Sequence, residues 1–179
     1  MEHQDALATY NSLKKQKDFA FIVYFRGHWC PFCMSYLTEL ETIRSSIEER
    51  NGGILVVTAE EESQLAPVRK IYKGTIISDP SHELASHLRS TDLIDIAKTP
   101  RGGYVYGMAQ PGVLVVRGDE KLYSWAIVPS TMNLYGAKDR PSLVQIKENI
   151  FAQIDGKKKP HKMIKTQTFW QGIRYKAFG

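Results

Sequence analysis

Two cysteines are all that this 179-residue chain contains, and both fall in one run, Cys30-Pro31-Phe32-Cys33. So few excludes a disulfide-stapled scaffold, which needs a scattered even set. No second CxxC is present to complete a four-ligand zinc site, and His28 lies too close in sequence to close a tetrahedron with both thiols easily. No metal and no cofactor is therefore expected. No apolar run approaches the roughly 20 residues of a membrane span, so no membrane partner is expected. The first twenty residues are polar and amphipathic, without the apolar stretch of a signal peptide. Internal repeats are absent, and the one low-complexity stretch is Lys157–Lys159.

Acidic residues are scarce at one end. Residues 155–179 carry Lys157, Lys158, Lys159, Lys162, Lys165, Arg174 and Lys176 against Asp155 alone, a balance of +6 in a chain whose total is +5. The other 154 residues therefore carry −1, and the basic character belongs to a tail. A tail of this kind reads first as a solvated extension, and nucleic acid is not expected as a partner. Its Phe169, Trp170, Tyr175 and Phe178 imply that its end packs on something, either its own domain or a second copy in a homodimer through the C-terminal tail. Apolar residues at 42% and charged residues at 24% are ordinary for a globular protein, and the length suits one domain over 1–154 followed by the tail 155–179.

What is present is concentrated around the cysteines. Phe19-Ala20-Phe21-Ile22-Val23-Tyr24-Phe25 is a strand by its aromatic and β-branched content. Pro31 suits the first turn of a helix, where its missing N–H costs nothing. An apolar stripe through Tyr36, Leu37, Leu40, Ile43 and Ile47 carries that helix to about Arg50. Two cysteines two residues apart at a strand-to-helix junction read as a thioredoxin-type dithiol, and such a pair suits a reducing, cytoplasmic compartment. The helix start favours negative charge, so Cys30 is expected to have the lower pKa and to react first. Cys33, one turn on, is expected to resolve a mixed disulfide into an internal one. Arg26 and His28 flank the pair and can stabilise a thiolate. Trp29 is expected to pack beside the dithiol, with Pro31 and Phe32 between the cysteines. The run Glu60-Glu61-Glu62 reads as a solvated helix start.

The rest of the chain alternates. A helix is expected over 5–17, then the first strand and the CxxC helix. A buried strand over 54–59, a helix over 61–72, a short strand over 75–78 and a helix from Asp79-Pro80-Ser81 through His87 follow. Residues 89–109 read as a Gly-rich loop. A hairpin joins 113–117 to 121–128, and a last helix runs roughly 140–154. This order implies an α/β, thioredoxin-like fold: a mixed central sheet flanked by helices, with an ordered C-terminal extension.

The residues FRGHWCPFC, followed by SYLTEL, SDP at 78–80, QPGVLVV at 110–116 and RP at 140–141, resemble the peroxiredoxin-like (AhpC/TSA-type) proteins of the thioredoxin superfamily over roughly residues 5–154. The resemblance implies a thioredoxin fold and thiol-dependent redox activity. It also implies a cis Pro111, preceded by Gln110, facing the dithiol. The Pro-x-x-x-Thr-x-x-Cys motif of typical peroxiredoxins would put its Cys on Cys33, its Thr on Cys30 and its Pro on Arg26. By that logic Cys33 attacks first, whereas helix-start electrostatics favour Cys30. The expected function is a thiol-disulfide oxidoreductase or thiol peroxidase cycling Cys30 and Cys33. Its expected partners are a peroxide, disulfide or small-molecule substrate, and a thiol reductant such as glutathione or thioredoxin. A catalyst specific for one metabolite and a non-enzymatic interaction module are the competing readings.

Overall fold

The structure is a computed structural model and describes residues 5–127 and 140–162. Helix α1 (Ala6–Gln16) starts at Asp5, whose carboxylate accepts the backbone N–H groups of Leu7 and Ala8. Strand β1 (Phe19–Tyr24) leads to α2 (Pro31–Glu48), and β2 (Gly52–Thr58), α3 (Ala66–Ile71), β3 (Thr75–Ser78) and α4 (Glu83–Ser90) follow in turn. Two short strands, β4 (Lys98–Thr99) and β5 (Met108–Ala109), precede the hairpin β6 (Gly112–Arg117) and β7 (Glu120–Ala126), and α5 (Leu143–Ile154) comes last. The main sheet has the order β3-β2-β1-β6-β7. Strands β1, β2 and β3 are parallel, and β6 and β7 run antiparallel to their neighbours. This is the mixed α/β thioredoxin-like architecture.

Every residue of β1 is buried, because the sheet is covered on both faces. Phe19, Phe21 and Val23 pack with Leu37, Leu40 and Ile47 of α2 and with Ile146 and Ile150 of α5. Ala20, Ile22 and Tyr24 pack with Tyr10 of α1 and with Leu84 and Leu88 of α4. Burial on two faces explains why the strand sequences read as unbroken apolar runs.

Three expectations change in detail. The helix expected over 61–72 is split into a 3-10 turn, Glu62–Gln64, and α3. Pro67 lies in the first turn of α3, and a proline cannot donate the N–H that a continuous helix would need there. The loop 89–109 contains the β4–β5 ladder, whose two-residue strands are too short to leave a period. The expected cis bond before Pro111 is not found: the described residues hold no cis peptide bond. The trans form is the intrinsic preference of an X-Pro bond. Here Gln110 N–H donates to Ala97 O at 2.8 Å and Pro111 O accepts from Ile127 N at 3.1 Å, so an extended entry into β6 is held from both sides.

Beyond α5, the chain as far as residue 162 folds back. Asn149 is fully buried; its Oδ1 accepts His161 N–H at 2.9 Å and its Nδ2 donates to His161 O at 3.0 Å. Phe169, Trp170, Tyr175 and Phe178 lie outside the described residues, as does the ordered extension expected there.

Candidate active site

The dithiol sits where β1 hands over to α2. A turn closed by Cys30 N–H on Gly27 O at 3.1 Å delivers Cys30 to the N-cap of α2, with Pro31 in the first turn. The Cys30 Sγ accepts Cys33 N–H at 3.4 Å, and Cys30 O accepts the N–H groups of Cys33 and Met34 at 3.0 Å each. Both cysteines are reduced and buried, whereas Phe32 between them is 48% exposed. The α2 start thus turns both sulfurs inward and one ring outward.

The groups that stabilise a thiolate converge on Cys33. Cys33 Sγ takes a hydrogen bond from the Cys30 thiol, lies 3.3 Å from the Arg140 Nη2 that donates to it, and accepts the backbone N–H of Arg26. These outweigh the opposing effect of burial and bring the Cys33 pKa down to about 5. The Cys30 thiol moves the opposite way: it donates to Cys33, is itself buried and faces the Cys33 charge. This reverses the expectation that Cys30 carries the lower pKa. The helix-start field reaches both residues, but a guanidinium and a second thiol act on Cys33. Arg140 is held in place by Tyr36: its guanidinium lies 5.2 Å from the Tyr36 ring centroid, and Tyr36 OH donates to Pro141 O at 2.7 Å.

Side-chain contacts from the chain just past β2 and from the 98–110 segment fix the loop before Cys30. Arg26 Nε donates to Gln110 Oε1 at 2.8 Å, and Gln110 Nε2 donates to Thr99 Oγ1 at 2.7 Å. Burial lowers the Arg26 pKa, while the Cys30 and Cys33 charges oppose that. The Glu60 side chain has no solvent exposure, and it accepts His28 N–H at 2.8 Å and His28 Nδ1 at 2.7 Å. Tyr104 OH accepts from Trp29 Nε1 at 2.9 Å and has two acceptors in reach, Arg26 O at 3.0 Å and Glu60 Oε1 at 3.2 Å. The Arg101 guanidinium covers the Trp29 ring at 3.4 Å from its centroid. Gly27 leaves room for this crowding: a Cβ there would lie 2.5 Å from Glu60 Oε1, Trp29 Nε1 and Tyr104 OH, so these hydrogen-bonded side-chain ends would have to shift.

Arg26, His28, Trp29 and Gln110 thus gather around the cysteines. Pro31 and Phe32 lie between them, and Pro111 follows Gln110 into β6. Sequence reasoning passed over Arg140, Glu60 and Tyr104 as site residues. Arg140 was visible only as part of the RP pair. Glu60 was hidden in an acidic run, from which it is buried while Glu61 and Glu62 are not. Among the described residues no three His, Cys, Asp or Glu side chains are grouped to hold a metal ion, and no helix is long and apolar enough to cross a membrane.

The sequence pattern of the AhpC/TSA family matches residues 2–124, well over half of the chain. The chain belongs to the AhpC/TSA family. As an AhpC/TSA protein it is an oxidoreductase of the thiol peroxidase class, and peroxides and thiol reductants are its kinds of partner. No curated protein matches it. Its fold is that of solved peroxiredoxins. The 2-Cys peroxiredoxin of Plasmodium vivax in its reduced form superposes with a TM-score of 0.56 at 11% identity, over 80% of this chain and 83% of that one. Peroxiredoxin 6 of Arenicola marina, as its C45S mutant, gives 0.57 at 13% identity over 88% and 76%. The bacterioferritin comigratory protein of Xanthomonas campestris, described for alkyl peroxide reduction, gives 0.55 at 11% over 82% and 84%.

Proposed function

We propose that this AhpC/TSA protein reduces a hydroperoxide with Cys33 as the attacking thiolate and Cys30 as the resolving thiol. The Cys33 thiolate attacks one peroxide oxygen and the O–O bond breaks. The sulfur is oxidised to a sulfenic acid, and the departing alkoxide or hydroxide takes a proton. The Cys30 sulfur then attacks the Cys33 sulfur; the S–S bond forms and water leaves. Two electrons from an external thiol reductant reopen the disulfide. A couple that must be re-reduced each turnover suits a reducing compartment such as the cytoplasm.

The observation that carries this reading is the Arg140 guanidinium at 3.3 Å from Cys33 Sγ. Cys30 occupies the place where the peroxiredoxin motif has Thr, and its thiol donates to Cys33 as a hydroxyl would. The Cys30→Ser variant keeps such a donor and removes the resolving sulfur. After one equivalent of peroxide it is expected to hold a dimedone-reactive sulfenic acid at Cys33, located by peptide mass spectrometry. Cys33→Ser is expected to form none at Cys30. The opposite labelling pattern would make Cys30 the attacking sulfur.

The homodimer belongs to the same proposal and rests on the four aromatic residues of 163–179. Cutting the chain after Lys162 keeps the Asn149–His161 clamp. That truncation is expected to preserve the circular dichroism spectrum and the dithiol while lowering the mass seen in analytical ultracentrifugation. An unchanged mass would remove the tail from any role in assembly.

A further inference from the structure

The buried carboxylate of Glu60 stands one layer behind the dithiol and has no part in the chemistry just described. We propose that Glu60 is a positioning residue for Cys33, acting through the loop Arg26–Trp29. Its side chain is shut off from solvent, and a carboxylate in such a place must be compensated by hydrogen bonds. Its donors come from that loop and from the residue that pins it. Oε2 takes His28 N–H, Oε1 takes His28 Nδ1, and Oε1 is also within 3.2 Å of Tyr104 OH.

The same loop supplies the groups that shape the thiolate site. Arg26 presents its backbone N–H to Cys33 Sγ. Gly27 O closes the turn that delivers Cys30 to the α2 N-cap. Trp29 Nε1 is tied through Tyr104 OH back to the carboxylate. Glu60 is itself fixed from β2 and β3: its N–H donates to Thr58 Oγ1 at 3.2 Å and its carbonyl accepts Ser78 Oγ at 2.6 Å. A rigid sheet edge therefore holds the carboxylate, and the carboxylate holds the loop. The Gly27 contact points the same way, since there is no room for a methyl group between loop and carboxylate.

Positioning and bare charge have opposite signs here. Deleting a nearby negative charge favours the thiolate and lowers the Cys33 pKa. Releasing the loop costs Cys33 the Arg26 N–H and raises it. The titratable and charged groups facing the two sites are His28 and Tyr104 at Glu60, and Cys30, Arg26 and Arg140 at Cys33; Cys30 is replaced alike in every sample compared, Tyr104 only in the fallback variant, and the others are kept. Thiolate formation is followed by absorbance at 240 nm against pH on the reduced full-length chain, with Cys30→Ser as background so that one thiol is read. Glu60→Ala is expected to raise the Cys33 pKa by about one pH unit. Glu60→Gln keeps an acceptor for His28 N–H and is expected to return it to the starting value or slightly below. A fall in both variants would make Glu60 a charge only. An unchanged titration with a lowered melting temperature would make it a structural residue only. Should Glu60→Ala fail to fold, Tyr104→Phe, which removes the tie to Arg26 O and to Trp29, carries the same expected rise, and its absence overturns the proposal. The titration is independent of any peroxide, so it stands whichever substrate the dithiol serves.

Discussion

Replacing Arg140 by methionine is expected to move the Cys33 pKa from about 5 to roughly 7 and to slow peroxide reduction near pH 6 by about tenfold, the loss of thiolate at that pH. Arg140 does not act alone, because the Cys30 thiol hydrogen bond is the larger support and burial opposes both. Arg140 nonetheless brings a full positive charge to 3.3 Å from a buried sulfur, where screening is weaker than in bulk water. Methionine keeps an apolar stem of similar length for the Tyr36 ring, so the local fold is not what is tested. Arg140→Lys should restore part of the rate, since it keeps the charge but not the planar fork. A Cys33 titration at 240 nm that is unchanged in Arg140→Met would overturn this assignment.

A linkage consequence follows with a definite sign. Cys33 has a folded-state pKa below that of an unfolded thiol, so its contribution to stability is present above the unfolded value near 8.5 and is lost as pH falls through about 5. Between those limits stability should rise with pH by up to about 1.4 kcal/mol for each pH unit. The Cys30 thiol, held protonated, contributes in the opposite sense only above roughly pH 8.5, where an unfolded thiol ionises. Urea midpoints measured on the reduced chain from pH 5.5 to 8 should rise accordingly, and Cys33→Ser should flatten the slope.

The parts of this molecule that were legible in sequence are those encoded locally. The runs 19–25, 54–59 and 113–117 were readable as strands, and 54–59 as one covered on both faces, because each residue keeps its own apolar character whatever it packs against. Pro31 and the CxxC marked the start of α2 for the same reason. The β4–β5 ladder was not legible, being two residues deep. The reversal of the thiol order was not legible either. The guanidinium that adds to the Cys30 hydrogen bond there lies 107 positions from Cys33, and only the fold brings α2 and the segment before α5 together. Glu60 shows the limit of reading charge by runs. Three adjacent glutamates look alike in sequence, yet the first is anchored inward by Thr58 and Ser78 while the next two face out.

Packing on the two faces of the sheet should separate stability from chemistry. Phe21 and Ile22 are neighbours in the central strand, both with no exposed surface, and they point to opposite faces. Phe21 sits among α2 and α5 residues in edge contact with the Phe19 ring at 6.1 Å, whereas Ile22 sits among α1 and α4 residues. Phe21→Ala should cost about 3–5 kcal/mol and Ile22→Ala about 2–5 kcal/mol, since each leaves a cavity that a two-sided sheet cannot readily collapse. Only the first loosens the face on which α2 rests. Phe21→Ala is therefore expected to raise the Cys33 pKa as the Cys30–Cys33 turn drifts from Arg140, while Ile22→Ala leaves that pKa where it was. Urea denaturation gives the two stabilities, and the 240 nm titration gives the two pKa values. Equal pKa values at unequal stability would mean that the thiolate site is held by its own loop contacts and not by the packing of α2 on β1.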